Sequence, residues 1–284
     1  MPFYIPSIAS PYLLKEMENR LVIGKLATNI SDQVEDIAWS GSEITFPVFT
    51  RSATAGEVAD KGAVIPTEID GSSTNAPIKH IASSVKWHED TLRKSGKVLA
   101  DLGIRDMADA MSTKLEADIM AEAVNSSTLR YACAAADTLT QDELEGGLAL
   151  FGDKQAAQEF SGILIHSKLF PSFLKMDGFS NENLTYSREG SGIVKGQVAG
   201  FYRGIPVYLT NNGTYAANTG NTYETKTVIL KKGGVGYALK KAIDFREAYN
   251  NETFYTTVTA DTYAAEKLLD SDKVVLIAKT IASD

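Results

Sequence analysis

Three features of the 284-residue sequence predict an α+β fold. One long stretch carries a helical stripe, strand-like runs gather separately in the last third, and a long small-residue segment lies between two alternating ones. In "VLADLGIRDMADAMSTKLEADIMAEAV" (98–124), Ile104, Met107, Met111, Leu115 and Ile119 recur every three or four residues and define one apolar face. Segments such as "TKTVILKK" and "SDKVVLIAKTI" are short, apolar and β-branched, as buried strands are. Helices and strands that are segregated rather than strictly alternating point to α+β.

Taken in order, residues 1–41 form a leader. Ser10-Pro11 reads as an N-cap followed by a first-turn proline, opening a helix with Leu14, Met17 and Leu21 on one face. A single helix cannot bury a core alone, so the leader must lie against other surface. Residues 42–90 begin and end as strands, with Ile44, Phe46 and Val48 at one end and Ile81, Val85 and Trp87 at the other. About 30 residues of Ala, Gly, Ser, Thr and charge separate them, a length that is uncommon inside a compact domain. We read this segment as a projecting two-stranded arm. Such a ribbon is marginal in water, which points to a partner surface.

The helical stripe follows within 91–138, with Asp101 and Arg105 spaced as an i,i+4 pair on its polar side. Residues 139–224 read helix, strand, helix, with Thr140 and Glu143 placed as a capping box. Two polar loops in this region flank "GQVAGFYRGIPVYLTNN" (196–212). Residues 225–284 hold the closing strands "TKTVILKK", "NETFYTTVTADTYAAEKL" and "SDKVVLIAKTI"; "GVGYALKKAIDFREAY" lies among them and is open to an extended reading too.

Composition narrows the function. With 28 Lys and Arg against 36 Asp and Glu the formal charge is −8, which argues against a histone-like coat on DNA. A single cysteine, Cys133, excludes an internal disulfide, and with only three scattered histidines it excludes a Cys/His zinc site. The opening "MPFYIPSIAS" lacks a basic region followed by an apolar run, and no stretch approaches the roughly 20 apolar residues of a membrane span.

The glycines of 196–212 raise the question of a phosphate loop. Gly196, Gly200 and Gly204 have neither the spacing nor the Gly-Lys-Ser/Thr ending that a Walker loop needs, and they precede the strand-like "IPVYLT" instead of a helix. Gly233, Gly234 and Gly236 follow a strand but lack the third fingerprint glycine. All are read as glycines of backbone turns and close approach. His80, His88 and His166 share no metal-binding spacing, and no catalytic residue, cofactor or metal is expected.

The order of these elements resembles the major capsid proteins of tailed bacteriophages with the HK97-like fold. "ITFPVFTRSATAGEVADKGAVIPTEID" resembles that family's extended loop, "IKHIASSVKWHEDTLRKS" its returning strand, and "DLGIRDMADAMSTKLEADIMAEAV" its spine helix. "GFYRGIPVYLTNN" is similar to a Gly–apolar–Pro strand of the axial domain, and residues from Val235 onward to the closing strands of the peripheral domain. Departures are Lys61-Gly62 in place of Glu-Gly in the loop, and Arg246-Glu247 where the family has Arg-Asp.

The resemblance implies five parts: an N-terminal arm (1–41), an extended hairpin with its base strands (42–90), a peripheral domain with the spine helix (91–138), an axial domain (139–224) and a return to the peripheral sheet (225–284). It also implies a shell subunit, not an enzyme, that assembles as hexamers and pentamers into an icosahedral head around double-stranded DNA. Expected partners are further copies of itself, a separate scaffolding protein, a portal, and packaged DNA held without sequence-specific contact. No membrane partner is expected; assembly would occur in the host cytoplasm and the product would be the virion. Arg51, Glu57, Asp60, Lys61, Glu68 and Asp70 in the extended loop are the expected inter-subunit contacts, setting register more than affinity. The alternatives are an encapsulin-type compartment shell and an α+β enzyme using a glycine loop.

Overall fold

In the computed structural model, residues 6–31, 42–49, 71–95, 97–126, 129–132, 138–177, 179–180, 198–217 and 222–282 are described. The chain opens with α1 (Pro6–Arg20), α2 (Ile23–Leu26) and the short β1 (Thr28–Asn29). Residues 6–9 are already helical, so Pro11 lies inside α1 and the Ser10-Pro11 pair does not open it. A Ser-Pro pair is a purely local cap signal, and it does not tell whether the residues before it are already helical.

β2 (Glu43–Phe49) and β3 (Gly71–Pro77) pair antiparallel from Glu43↔Pro77 to Phe49↔Gly71. This corrects the expected pairing. The strand opposite β2 is the polar "GSSTNAP", whereas Ile81 and Trp87 belong to β4 (Lys79–His88), which joins a different sheet. β3 needs little apolar character: of Ser73–Pro77, only Ala76 is buried. The apolar alternation of β4 reflects its contact with a helix, where Val85 and Trp87 pack against Gly103.

α3 (Glu89–Ser95) leads into α4 (Lys97–Ser126), 30 residues and roughly 45 Å long at 1.5 Å per residue. Its expected stripe is buried throughout, joined by Ala108, Met120 and Val124. Leu13 and Met17 of α1 pack into the same cluster, and Arg20 pairs with Asp109.

The remaining elements are β5 (Leu129–Ala132), α5 (Gln141–Ala149), β6 (Phe160–Ile165), α6 (Phe170–Phe173), β7 (Phe179–Ser180), β8 (Val198–Tyr202), β9 (Ile205–Leu209), β10 (Tyr215–Ala217), β11 (Thr222–Lys231), β12 (Val235–Asn250), β13 (Tyr255–Leu268) and β14 (Val274–Ala282). They build two sheets. A four-stranded sheet has the order β1-β12-β13-β4; an eight-stranded one has the order β5-β14-β11-β6-β9-β8-β7, with β10 on β11. The chain crosses between them three times, from β4 through α4 to β5, from β11 to β12 and from β13 to β14, and Leu269 N–H donates to the Gly234 carbonyl at 2.8 Å where the last two crossings meet. Residues 225–282 therefore serve both sheets.

Alternation explains how one sheet carries two cores. Leu164, Val228, Leu230, Val274 and Leu276 face the α4 cluster, while Ile163, Ile165, Ile229, Val275 and Ile277 face a second cluster with Leu144 and Leu148 of α5. A strand buried on both faces reads as a continuous apolar run, as "TVIL" and "VVLI" do.

The glycine-rich stretch is a hairpin. Tyr202 pairs with Ile205, so Arg203 and Gly204 form a two-residue turn with φ of 48° and 82°. Both values are positive, as a type I′ turn demands. Gly200 sits at a register shift between β8 and β9, and Gly196 lies outside the described residues. A Cβ on Gly204 would touch only the Ala157 Cβ, at an ordinary 3.5 Å. Gly204→Ala is therefore expected to cost about 1 kcal/mol, all of it conformational. A lower denaturation midpoint with an unchanged m-value would show it.

Candidate assembly surfaces

The hairpin base is seated on its own subunit. Phe46 is fully buried, and with Ile30, Ile44 and Ala76 it packs on Ala238 and Ala265. Those two alanines are register partners in β12 and β13, so they leave a shallow floor in the four-stranded sheet that a phenylalanine ring fills. This third cluster is separate from the two main cores. Arg51, Glu57, Asp60, Lys61, Glu68 and Asp70 all fall in residues 50–70, outside the described residues.

A second surface lies at the turn between β12 and β13. Tyr249, Phe254 and Tyr255 are exposed there, Phe254 by 53%. The turn is nevertheless rigidly built. Asn250 Oδ1 accepts from the N–H groups of Glu252 and Thr253 at 2.8 and 3.3 Å. Glu89 N–H donates to the Phe254 carbonyl at 3.0 Å, and the Tyr249 hydroxyl donates to Glu89 Oε2, also at 3.0 Å. Arg93 reaches Glu89 Oε1 at 2.6 Å, and Arg93 followed by Tyr249 holds that carboxyl below its ordinary range. His88 meets the Tyr255 ring edge-on at 5.1 Å. Aromatic side chains held in place but left in water are the composition of an interface centre. Sequence reading missed this patch; the signal was a Phe-Tyr pair directly after the polar turn "NNET". Val98 and Leu102, one turn apart on α4, are exposed as well.

Two ionic groups link distant parts of the subunit. Lys279 of β14, 1% exposed, places its ammonium 2.5 and 2.6 Å from the two oxygens of Glu143. Glu143 also completes the expected capping box, accepting from Thr140 N–H at 2.9 Å. Burial pushes its carboxyl up, but Lys279 and Thr140 together outweigh that and hold it below the ordinary value. Under α4, Lys79 lies 3.0 Å from Glu266 and 3.5 Å from Asp118, which Lys114 reaches at 2.9 Å. Burial dominates at Glu266 and raises its carboxyl against the pull of Lys79. Burial acts to lower Lys79, but Glu266 and Asp118 outweigh it and hold the ammonium above its usual range. Next to the Arg203-Gly204 turn, Glu145 Oε1 accepts from Tyr202 at 3.2 Å and from Arg203 at 2.5 Å. The Tyr202 hydroxyl is pushed up to about 12 by burial and by Glu145.

The histidines are apart. His80 stacks on Tyr263 at 4.6 Å and His166 on Tyr215 at 5.1 Å. Among the described residues no three His, Cys, Asp or Glu side chains gather as a metal site would require, and no helix is long and apolar enough to cross a membrane. Cys133 lies outside the described residues.

No family model matches the chain. In sequence it is similar to the major capsid protein of Staphylococcus phage phiMR11, 25% identical over 278 residues that cover 97% of this chain and 93% of that protein. In structure it is similar to the capsid of Ralstonia phage GP4, with a TM-score of 0.66 at 11% identity over 94% of this chain and 91% of that one. It is similar also to the capsid of the native GTA particle, with a TM-score of 0.63 at 12% identity over 100% and 93%. A virus-like particle from Pyrococcus furiosus gives 0.61 at 11% identity over 95% and 98%. The fold these likenesses define is the HK97-like α+β fold of capsid shells. Within that class, the sequence relationship is to a phage major capsid protein.

Proposed function

We propose that this chain is a major capsid protein, a structural rather than catalytic subunit that self-assembles into a closed shell. The observation that carries the reading is the near-complete match, 97% of the chain, to a phage major capsid protein. The architecture supports it: a hairpin rooted on the four-stranded sheet and a preorganised aromatic turn at the end of the same sheet offer two separate contact surfaces. Many copies of such modest contacts give a stable assembly, because each bound neighbour raises the effective concentration of the next. We further propose hexamers and pentamers in an icosahedral head around double-stranded DNA, assembled in the host cytoplasm with a separate scaffolding protein and a portal. In this reading the charges of the hairpin, Arg51, Glu57, Asp60, Lys61, Glu68 and Asp70, set register against a neighbour.

Negative-stain imaging and size-exclusion chromatography of the expressed chain test the reading. Closed particles are expected; a strict monomer at every salt and protein concentration overturns it. Particles that enclose an enzyme in place of nucleic acid or scaffold would move the assignment to a compartment shell. Phe254→Asp is expected to leave the monomer's melting temperature within about 2 °C, since exposed substitutions are usually worth under 0.5 kcal/mol, and to cut particle yield severalfold.

A further inference from the structure

Donors from two distant segments converge on one carboxylate in the middle of α4. Glu116 is 2% exposed. Its Oε1 accepts from the backbone N–H of Val22 and, at 3.2 Å, from that of Ile23; its Oε2 accepts from Asn212 Nδ2 at 2.6 Å. Val22 and Ile23 open α2 in the N-terminal segment. Asn212 belongs to the turn after β9, which is closed on itself: the Thr214 hydroxyl donates to the Thr210 carbonyl at 2.7 Å, and Asn212 N–H donates to Thr210 Oγ1 at 3.2 Å. Gly213 presses this turn onto α4. Its φ is +68°, and a Cβ there would lie 2.7 Å from the Met120 Cβ, one helical turn beyond Glu116.

We propose that Glu116 couples the N-terminal segment to the 210–214 turn, so that neither moves without loosening the other. A buried carboxylate must keep its donors or recover water. When the N-terminal segment lifts, two amides leave Oε1, and the carboxylate either swings towards solvent, dropping Asn212, or stays buried and under-satisfied. The reverse holds with equal strength, because a coupling free energy between two sites is reciprocal. The neighbouring packing of Val22 and Ile23 in the main core does not involve Asn212, so a change at Asn212 tests the polar link separately from it. The coupling is a property of the single subunit and does not rest on the shell reading.

Hydrogen exchange on the unassembled full chain tests it, comparing wild type with Asn212→Ala, Asn212→Asp and Glu116→Gln. Asn212→Ala removes only the donor on the turn. Exchange of the Val22–Leu26 amides is nevertheless expected to rise about tenfold, together with that of the 210–214 turn, as for loss of a hydrogen bond to a charged group. Asn212→Asp sets two carboxylates against each other and is expected to raise both further. Glu116→Gln, which cannot accept from both sides, is expected to act alike. Exchange at Val22–Leu26 within twofold of wild type in both Asn212 variants overturns the coupling, whatever the turn does, and decides the matter even if Glu116→Gln fails to fold.

Discussion

Lys279→Met is expected to destabilise the subunit by about 3–5 kcal/mol, the usual cost of removing one partner from a buried ion pair. The lysine is buried to 1% exposure and reaches both oxygens of Glu143, so its loss leaves a carboxylate beside the second core without its counter-charge. For a chain of this size the melting temperature should fall on the order of 10 °C. Glu143→Gln combined with Lys279→Met should recover much of the loss, because glutamine at the third helical position still closes the capping box while carrying no charge. A double variant as unstable as the single one would show that packing, not charge, sets the cost.

The pH dependence has a definite sign. The Glu143 carboxyl is depressed in the fold, so its contribution is fully present above the ordinary carboxylate value near 4.5 and is lost as pH falls through the depressed folded value. In Lys279→Met the ammonium that does most to offset burial is gone, so burial favours the neutral carboxyl and protonation relieves the variant. The stability gap between wild type and variant should therefore narrow as pH is lowered below about 4.5. Chemical denaturation at pH 7 and pH 4 measures this; a constant gap would place the effect elsewhere.

Phe46→Ala should unseat the hairpin while leaving the rest of the fold intact. A buried phenylalanine cut to alanine costs about 3–5 kcal/mol, and here the cost falls on a small cluster outside both main cores. The hairpin can open on its own without the α4 core, as sub-global unfolding units do. Backbone exchange in Glu43–Phe49 and Gly71–Pro77 should rise at least tenfold with little change in global melting, and particle formation should be lost. Ala265→Leu reaches the same end from the opposite side, filling the floor that the ring occupies. Global unfolding in step with the loss of hairpin protection would instead make the third cluster part of the main core.

Much of the architecture was legible from local pattern. The stripe of α4, the capping box at Thr140 and Glu143, and the closing strands all follow from periodicity and cap chemistry that act within a few residues. The glycines of 196–212 read as backbone geometry because no phosphate-binding spacing accompanied them, while the place of the two-residue turn at Arg203-Gly204 came only from the structure. The start of α1 was misplaced because a Ser-Pro pair marks a cap wherever it stands and does not say whether the chain before it is already helical. The partner of β2 was misjudged for a related reason. Alternation in Ile81–Trp87 signals one buried face, and nothing local says whether a strand or a helix covers it.

The sequence by itself determined that α4 is a long helix with one buried face and that the last third is largely extended, because those properties depend on neighbours three or four positions away at most. Tertiary structure alone decided which strands pair, how the last sixty residues divide between two sheets, and where Ala238 meets Ala265 to make a floor for Phe46. It also decided that Lys279 finds Glu143 across 136 positions and that Glu116 finds the start of α2 and Asn212. Those choices hang on the burial of charges and rings contributed from far along the chain, a free energy that exists only once the chain has closed on itself.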